Sequence, residues 1–571
     1  MNKKLQGIGA SSGVAIAKVF ELVETHVDIK ETKIEDFEKE SSKVDSAISE
    51  AIKQIEMVKE KALANLGEEE ASVFDAHIQV ASDPAMVSEI KSLIKEEKVN
   101  ALFATSKITE NYISMFESME DAYMKERAAD IKDVSKRIIN SLAGIKSIDL
   151  SSIDEEVVIV AVDLTPSDTA QLNKKFVKGF ITDIGGRTSH AAIMARSLEI
   201  PAVLGLNDIT NQVKTGDTVS IDGDSGEVII NPSEDEINKI NEIQIMLENE
   251  KKENLKFFGK KSLSKDGHEV ELASNIGSPK DVEGALKNDA EGVGLFRSEF
   301  LYMDAKNWPT EEEQFESYSA VLKGMENKRV VVRTLDIGGD KILSYFKFPE
   351  EMNPFLGYRA IRLSLDKKDI FQTQLRALLR ASAFGKLAIM FPMIATVEEF
   401  LEAKGEVEIA KKSLTSEGVK FSDDIEIGMM VEIPAAAALS KQFAKHSDFF
   451  SIGTNDLMQY TMAADRMSEK VSYLYQPLNP SILTLINMTI QGAHSEGKWV
   501  GMCGEMAGDK NAIPLLLGMG LDEFSMSATS ILGARRQISN IDKKSAEELA
   551  AKALKLSTQN EVKKLVDEFN K

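Results

Sequence analysis

The chain has one cysteine in 571 residues, Cys503, so it can form no disulfide within itself and no metal site built on several thiolates. It lacks any long uncharged apolar run, which leaves no segment suited to spanning a bilayer. No GxxxxGK[ST] loop is present to cradle a nucleoside triphosphate. Positive charge is in deficit: 69 Lys and Arg face 92 Asp and Glu, a formal net charge of −23. That balance argues against nucleic acid or an anionic membrane as the main partner and suits a basic protein docking on an acidic surface. An anionic substrate would need local arginines or a metal ion to offset the field. The start, Met1 to Gly7, is basic but has no apolar core of signal-peptide length, so a cytoplasmic protein without membrane insertion is expected.

What is present describes a soluble globular chain, 43% hydrophobic and 28% charged, long enough for three or four domains. One stretch organises it. Gly185-Gly186-Arg187-Thr188-Ser189-His190-Ala191-Ala192-Ile193-Met194-Ala195-Arg196 follows an apolar segment, Phe176 to Ile184, and precedes Pro201. It reads as strand, glycine turn and helix, with His190 in the first helical turn. Unpaired N–H groups and the positive dipole end favour anions there and disfavour a protonated imidazole, so a neutral His190 could accept a phosphoryl group and keep it stabilised. Ser189 and Thr188 can cap the turn and Arg187 can pair with phosphate oxygens. A capped helix whose histidine only packs is the alternative.

Along the chain, a Gly/Ser-rich opening leads into an apolar strand, Val14 to Phe20, of a sheet completed elsewhere. Between about residues 30 and 143 the period becomes helical: Phe37, Val44, Ile48, Ile52, Ile55, Ala62 and Leu66 share a face, as do Ile108, Tyr112, Met115 and Met119, and Ile131, Val134, Ile138 and Leu142. An antiparallel helical bundle is expected. Residues 144 to 232 return to short apolar segments around the His190 motif, forming with residues 1 to 20 one α/β domain. Residues 233 to 260 read as a helical linker and hinge. From 261 to 571, eight apolar segments alternate with helical stretches, which suggests a (β/α)₈ barrel.

Polar residues fall at the ends of those segments. Arg297 follows the second, Arg333 closes the third and Arg359 lies in the loop beyond; Glu432 ends the fifth, Asn455-Asp456 the sixth and Cys503 the seventh. In a barrel these ends share one mouth. Several arginines, with Arg466 as a further clamp and Asn455 as a donor, suit a substrate bearing phosphate and carboxylate, and Glu432 with Asp456 suits Mg²⁺. Phosphoenolpyruvate meets that description. Removing its phosphoryl group leaves enolpyruvate, whose C3 needs an acid, and a thiol such as Cys503 with an ordinary pKa near ~8.5 is mostly protonated at neutral pH. Taken singly, each arginine also reads as a surface ion pair and the cysteine as a small core residue.

The segment GGRTSHAAIMARSLEIPAVLG is similar to the phosphohistidine segment of phosphoenolpyruvate-utilising enzymes, and most resembles the Enzyme I family of the bacterial sugar phosphotransferase system. The resemblance covers nearly the whole chain. It implies a phosphoenolpyruvate-protein phosphotransferase: His190 takes the phosphoryl group, pyruvate leaves, and the phosphocarrier HPr receives the phosphate in the first step of sugar uptake. It implies Arg297, Arg333 and Arg466 for substrate, Glu432 and Asp456 for Mg²⁺, Cys503 as proton donor and Thr169 as a hydrogen-bond partner of the imidazole. It makes residues 21 to 143 an HPr-docking subdomain with Glu68, Glu69, His77 and Arg127 at the contact, and the barrel a homodimer interface. On their own the acidic triplet Glu68-Glu69-Glu70 reads as a solvated helix end, His77 as a packing residue, and Thr169 as part of a capping cluster. The alternatives are a pyruvate phosphate dikinase or phosphoenolpyruvate synthase relative, disfavoured by the missing nucleotide site, and a non-catalytic phosphoenolpyruvate-sensing regulator.

Overall fold

Short apolar runs separated by glycine turns build two sheets in the computed structural model, one in each of two units, Met1–Asn249 and Glu250–Lys571. The structure describes residues 2–571 except 23–26, 66–67, 119–121, 146–149, 151–152, 187–188, 199, 304, 340, 342 and 467; the side chains of 64–65, 68–70, 72, 122–126, 190, 193, 197 and 469 are also outside the described set.

The first unit holds strands β1 (Lys3–Gln6), β2 (Ile8–Ser11), β3 (Val14–Glu21), β4 (Val157–Ala161), β5 (Val177–Thr182), β6 (Ala202–Leu204), β7 (Thr218–Asp222) and β8 (Glu227–Ile230). Their order is β1-β8-β7-β3-β4-β5-β6-β2. The middle strands β3 to β6 run parallel, and β4 is buried at every position, as expected for a strand covered on both faces. Strands β1 and β2 stand at opposite ends of the order although only Gly7 separates them, so the sheet curls round on itself. A Cβ at Gly7 would lie 2.7 Å from the Leu204 carbonyl oxygen, which is why no larger residue fits that crossing.

Between β3 and β4 the chain makes α1 (Phe37–Asn65), α2 (Glu68–Ala81), α3 (Pro84–Glu97), α4 (Ala101–Glu117) and α5 (Ala122–Ala143). Val44, Ala47, Ala51, Ile55, Val58 and Ala62 recur at helical spacing on α1 and are buried against the partner helices. Two more helices follow: α6 (Pro166–Thr169), closed by a capping box of Thr165 and Asp168, and α7 (His190–Leu198). Ala170, just after α6, is buried in the core of the bundle, so the bundle seats on the turn facing α7. Helix α8 (Glu234–Leu255) carries the chain from one unit to the other, and none of its residues is buried.

The second unit is a closed barrel of eight parallel strands: β9 (Glu271–Ile276), β10 (Gly292–Arg297), β11 (Val330–Arg333), β12 (Leu387–Phe391), β13 (Glu426–Val431), β14 (Phe449–Ile452), β15 (Trp499–Met502) and β16 (Glu523–Met526). Side chains alternate between its two surfaces. Val330 and Val332 join the large core under the surrounding helices, while Val331 packs in the lumen with Leu295, Ala388, Met390, Met430, Phe449 and Cys503. That alternation puts Asn275, Arg297, Arg333, Glu432 and Cys503 in phase with the lumen.

Gly428 shares the phase of Met430, and a Cβ there would meet the Phe449 ring at 2.5 Å and its carbonyl oxygen at 2.6 Å. Gly428→Ala should overpack the lumen and destabilise the barrel by about 1–3 kcal/mol. Urea unfolding followed by fluorescence reads this unit alone, because both tryptophans, Trp308 and Trp499, lie in it; an unchanged midpoint would contradict the packing described.

Candidate active site

Arginine side chains come to the barrel mouth because strand alternation aims them inward, and a buried carboxylate keeps them there. Asp336, three residues beyond β11 and almost fully buried, accepts from Arg359 Nη2 at 2.9 Å and Lys341 Nζ at 2.8 Å, and pairs with Arg333 Nη1 at 3.0 Å. Glu299, two residues beyond β10, pairs with Arg333 Nη2 and with Lys341 Nζ. Burial alone would raise the Asp336 carboxyl, but Arg333, Lys341 and Arg359 together hold it well below the usual carboxylate range. Arg333 and Arg359 are likewise held in the charged form: burial opposes their charge, and the surrounding carboxylates, Asp336 foremost, together more than offset it.

Glu432 and Asp456 form a second centre beside the first. Glu432, immediately after β13, accepts the Met393 N–H at 2.6 Å through Oε1, and its buried Oε2 has no hydrogen-bond partner among the described residues. Asp456, in the helix Thr454–Met462 that follows β14, lies 3.7 Å from Arg359 Nη1 and 3.9 Å from Arg466 Nη1, and its Oδ1 also lacks a hydrogen bond among the described residues. Burial first, and then the neighbouring Asp456 charge, pushes the Glu432 carboxyl up to about 8. Met393 itself has a left-handed backbone, φ 57°, a strained conformation for a non-glycine residue that aims its N–H at Glu432.

Cys503, the residue after β15, is buried, with its N–H donating to the Ile452 carbonyl at 3.2 Å. Burial pushes its thiol up to about 11 despite the lowering influence of Arg333. The turn beyond it is pressed on the start of the Thr454–Met462 helix: a Cβ at Gly504 would lie 1.8 Å from Thr454 Oγ1. Arg297, half-buried at the end of β10, pairs with β11 through its backbone, while its side chain makes no hydrogen bond or ion pair among the described residues. Asn455 Oδ1 accepts from Tyr475 Oη at 3.1 Å.

In the first unit His190 is the first residue of α7, and Ser189 caps that helix by accepting the Ala192 N–H at 3.3 Å. The His190 side chain, and Arg187 and Thr188 entirely, lie outside the described residues, as do the side chains of Glu68 and Glu69. Thr169 is fully buried and its hydroxyl donates to the carbonyls of Thr165, at 3.1 Å, and Pro166, at 3.0 Å. Arg127 Nη1 pairs with Asp130 Oδ2 at 3.1 Å. His77 corrects an expectation. It is fully buried, edge-on to Phe74, with Nε2 at 3.1 Å from Asp130 Oδ1 and Nδ1 at 3.5 Å from Asp133 Oδ2, so its ring presents nothing to a docking partner. Asp133 in turn accepts from Ser167 Oγ on α6, which makes His77 part of the seam between the bundle and the α/β sheet.

Models of three parts of one enzyme type match in chain order: the N-terminal part of PEP-utilising enzymes over residues 6–127, their mobile domain over 153–226 and their PEP-binding domain over 251–543. The phosphoenolpyruvate-protein phosphotransferase of Bacillus subtilis (strain 168) is 58% identical over 566 residues, 99% of each chain, and that of Staphylococcus carnosus (strain TM300) is 56% identical over 571 residues, all of both chains. The chain belongs to the phosphoenolpyruvate-protein phosphotransferase family. A solved structure described as the NMR solution structure of Enzyme I (nEIt) protein is 48% identical and covers 43% of this chain and 99% of its own, with a TM-score of 0.40.

Phosphoenolpyruvate-utilising enzymes work with a metal ion. The residues here fit one: two buried carboxylate oxygens, on Glu432 and Asp456, lack hydrogen-bond partners among the described residues and repel each other, and hard oxygen donors are what a divalent cation takes. Asp336, Glu299 and Lys341 were not picked out by sequence reasoning, although they stand in the same short loops beyond strand ends that disclosed the arginines. Among the described residues no helix is long and apolar enough to cross a membrane.

A thiol pushed up to about 11 and buried should be nearly inert at neutral pH, when only the thiolate reacts. With Cys503 the chain's single cysteine, labelling by a disulfide reagent at pH 8 should be at least about a hundredfold slower in the native protein than in denaturant. Comparable rates would show that the mouth leaves the thiol open and ionisable.

Proposed function

We propose that the barrel mouth binds phosphoenolpyruvate and that His190 removes its phosphoryl group. The observation carrying this reading is the convergence of Arg333, Arg359, Arg466, Glu432, Asp456 and Cys503, from separate strands and loops, on one end of the lumen. Arg297, Arg333 and Arg466 bind the phosphate and carboxylate, with Asn455 donating a hydrogen bond, while Arg359 supports the cluster through Asp336. Glu432 and Asp456 hold Mg²⁺, which when bound neutralises charge on the phosphate and on the enolate oxygen.

An imidazole nitrogen of His190 attacks phosphorus; the bond between phosphorus and the enol oxygen breaks, and its electron pair stays on that oxygen. Phosphoryl transfer of this kind rests on positioning and charge neutralisation, which the fixed guanidinium groups supply without reorganising. The enolate carbon C3 then takes the Cys503 proton and pyruvate forms. Phosphohistidine sits on the N-terminus of α7, where N–H groups and the helix dipole stabilise it. It then passes its phosphoryl group to a histidine of HPr.

In this reading residues 1–20 and 144–232 are the phosphohistidine domain, with Arg187 pairing to the phosphoryl oxygens and Thr169 beside the imidazole. Residues 21–143 dock HPr through Glu68, Glu69 and Arg127, with His77 bracing the docking helices from within. His190 reaches both partners by a swing about residues 233–260, where α8 has no fully buried residue. The barrel dimerises, and the protein works in the cytoplasm at the first step of sugar uptake.

Replacing His190 with Ala should abolish pyruvate release that depends on carrier phosphorylation while leaving phosphoenolpyruvate binding at the barrel intact; turnover at the native rate would remove His190 from the reaction. For Cys503→Ala, pyruvate formation should slow by about 10²-fold or more with substrate affinity largely kept, and an unchanged turnover would end its role as acid.

A further inference from the structure

The ladder between β15 and β16 ends early. Its pairs are Gly501 with Glu523 and Met502 with Phe524, so the carbonyl of the next residue, Cys503, has no strand partner on that side. A side chain takes its place. Asn275, near the end of β9, reaches across β16 and donates Nδ2 to the Cys503 carbonyl at 3.0 Å, and to the Ser525 carbonyl at 3.5 Å. Its other end is fixed too: Ser525 Oγ donates to Asn275 Oδ1 at 2.6 Å, which sets which way the amide faces. With the Cys503 N–H held by Ile452 on β14, both backbone groups of the cysteine are tied, one on each side of β15.

We infer that Asn275, oriented by Ser525, is a positioning residue that aims the Cys503 thiol at the carbon it protonates. The inference rests on the reading of Cys503 as the acid. Proton delivery from Sγ breaks the S–H bond and forms a C–H bond at C3 of enolpyruvate; the enolate oxygen becomes the ketone, and the thiolate regains its proton from water. Such a transfer demands reach within hydrogen-bond distance, so a turn released by a fraction of an ångström loses rate while the substrate clamp on the other strands stays in place. The chemistry selects asparagine. One planar group must donate to one carbonyl and accept from one hydroxyl; aspartate of the same shape has no donor and sets a negative charge against the Cys503 carbonyl.

The test uses the full-length protein with Mg²⁺ and pyruvate in D₂O, following deuterium entry at the pyruvate methyl group, beside phosphoenolpyruvate affinity and thermal melting. Asn275→Asp should slow exchange by about tenfold or more with affinity kept within about threefold; Ser525→Ala, which only frees the amide to turn, should slow it less. With phosphoenolpyruvate labelled stereospecifically at C3, the wild type should deliver the new hydrogen to one face and Asn275→Asp should scramble part of the product, which a role in stability alone would not produce. Native exchange and stereochemistry in Asn275→Asp, with exchange lost in Cys503→Ala, would overturn this inference and leave the acid reading standing. Parallel loss of exchange, affinity and melting temperature would reduce Asn275 to a structural tie and overturn it as well. Full exchange in Cys503→Ala would overturn the acid reading itself, and the inference with it. If Asn275→Asp does not fold, Ser525→Ala carries the same comparison, with native exchange and stereochemistry counting against the inference.

Discussion

A carboxylate with three cations around it cannot move without breaking several charge pairs out of reach of water, and Asp336 is in that position between Arg333, Arg359 and Lys341. Each pair joins a different piece of chain: the end of β11, the loop near residue 359 and the loop near residue 341. Removing one partner of such a buried cluster leaves an uncompensated charge, typically about 3–5 kcal/mol unfavourable. The guanidinium groups are therefore held in place before any ligand arrives. Through Arg359 the same cluster reaches Asp456, so the arginine side of the mouth and its carboxylate side share one set of contacts.

The arrangement answers the problem posed by the whole-chain charge. A protein with a net charge of −23 repels a trianionic substrate at long range, yet its barrel mouth concentrates positive charge and sets beside it two buried carboxylate oxygens, Glu432 Oε2 and Asp456 Oδ1, that lack hydrogen bonds among the described residues. Those opposed demands belong together chemically: the phosphate needs arginines, and the enolate that follows needs neutralising charge and a proton. The Cys503 thiol is kept neutral by burial, the lumen's apolar residues around it raising the cost of a thiolate.

How much of this could be read from residues alone depends on burial on both faces. Barrel strands such as Val330–Arg333 and Leu387–Phe391 are covered by helices outside and by lumen side chains inside, so they appear as unbroken apolar runs. Polar residues at their ends then stand out, and period-2 alternation tells which ones face inward. The helices α1 and α5 carry strong apolar stripes, but α4 buries Ala101, Ala104, Thr105, Ser106 and Thr109 while Met115 of its expected stripe is exposed, and the faces of α2 buried in the bundle are Ala71, Phe74, His77 and Ala81, two small residues and a polar one, so the period fades. The edge strands β1 and β2 are four residues each and rich in Gly, Lys and Ser, a pattern indistinguishable from a loop until their partners are known. Asp336, Glu299 and Lys341 resemble ordinary loop charges for the same reason; only the three-dimensional closure of the barrel reveals that Asp336 and Glu299 are buried and that Lys341 pairs with both. For His77, an amphipathic helix position did not say whether the ring faced a partner or the bundle seam, and the two aspartates beside it decide for the seam.

The most direct measurement is incubation of the purified protein with Mg²⁺ and phosphate-labelled phosphoenolpyruvate, with and without HPr, followed by acid and alkali treatment of the labelled chain and mapping of the label. The expected result is an acid-labile, alkali-stable label on His190, pyruvate released in equal amount, and loss of the label to HPr when it is added. Label appearing only with ATP, or none from phosphoenolpyruvate, would contradict it.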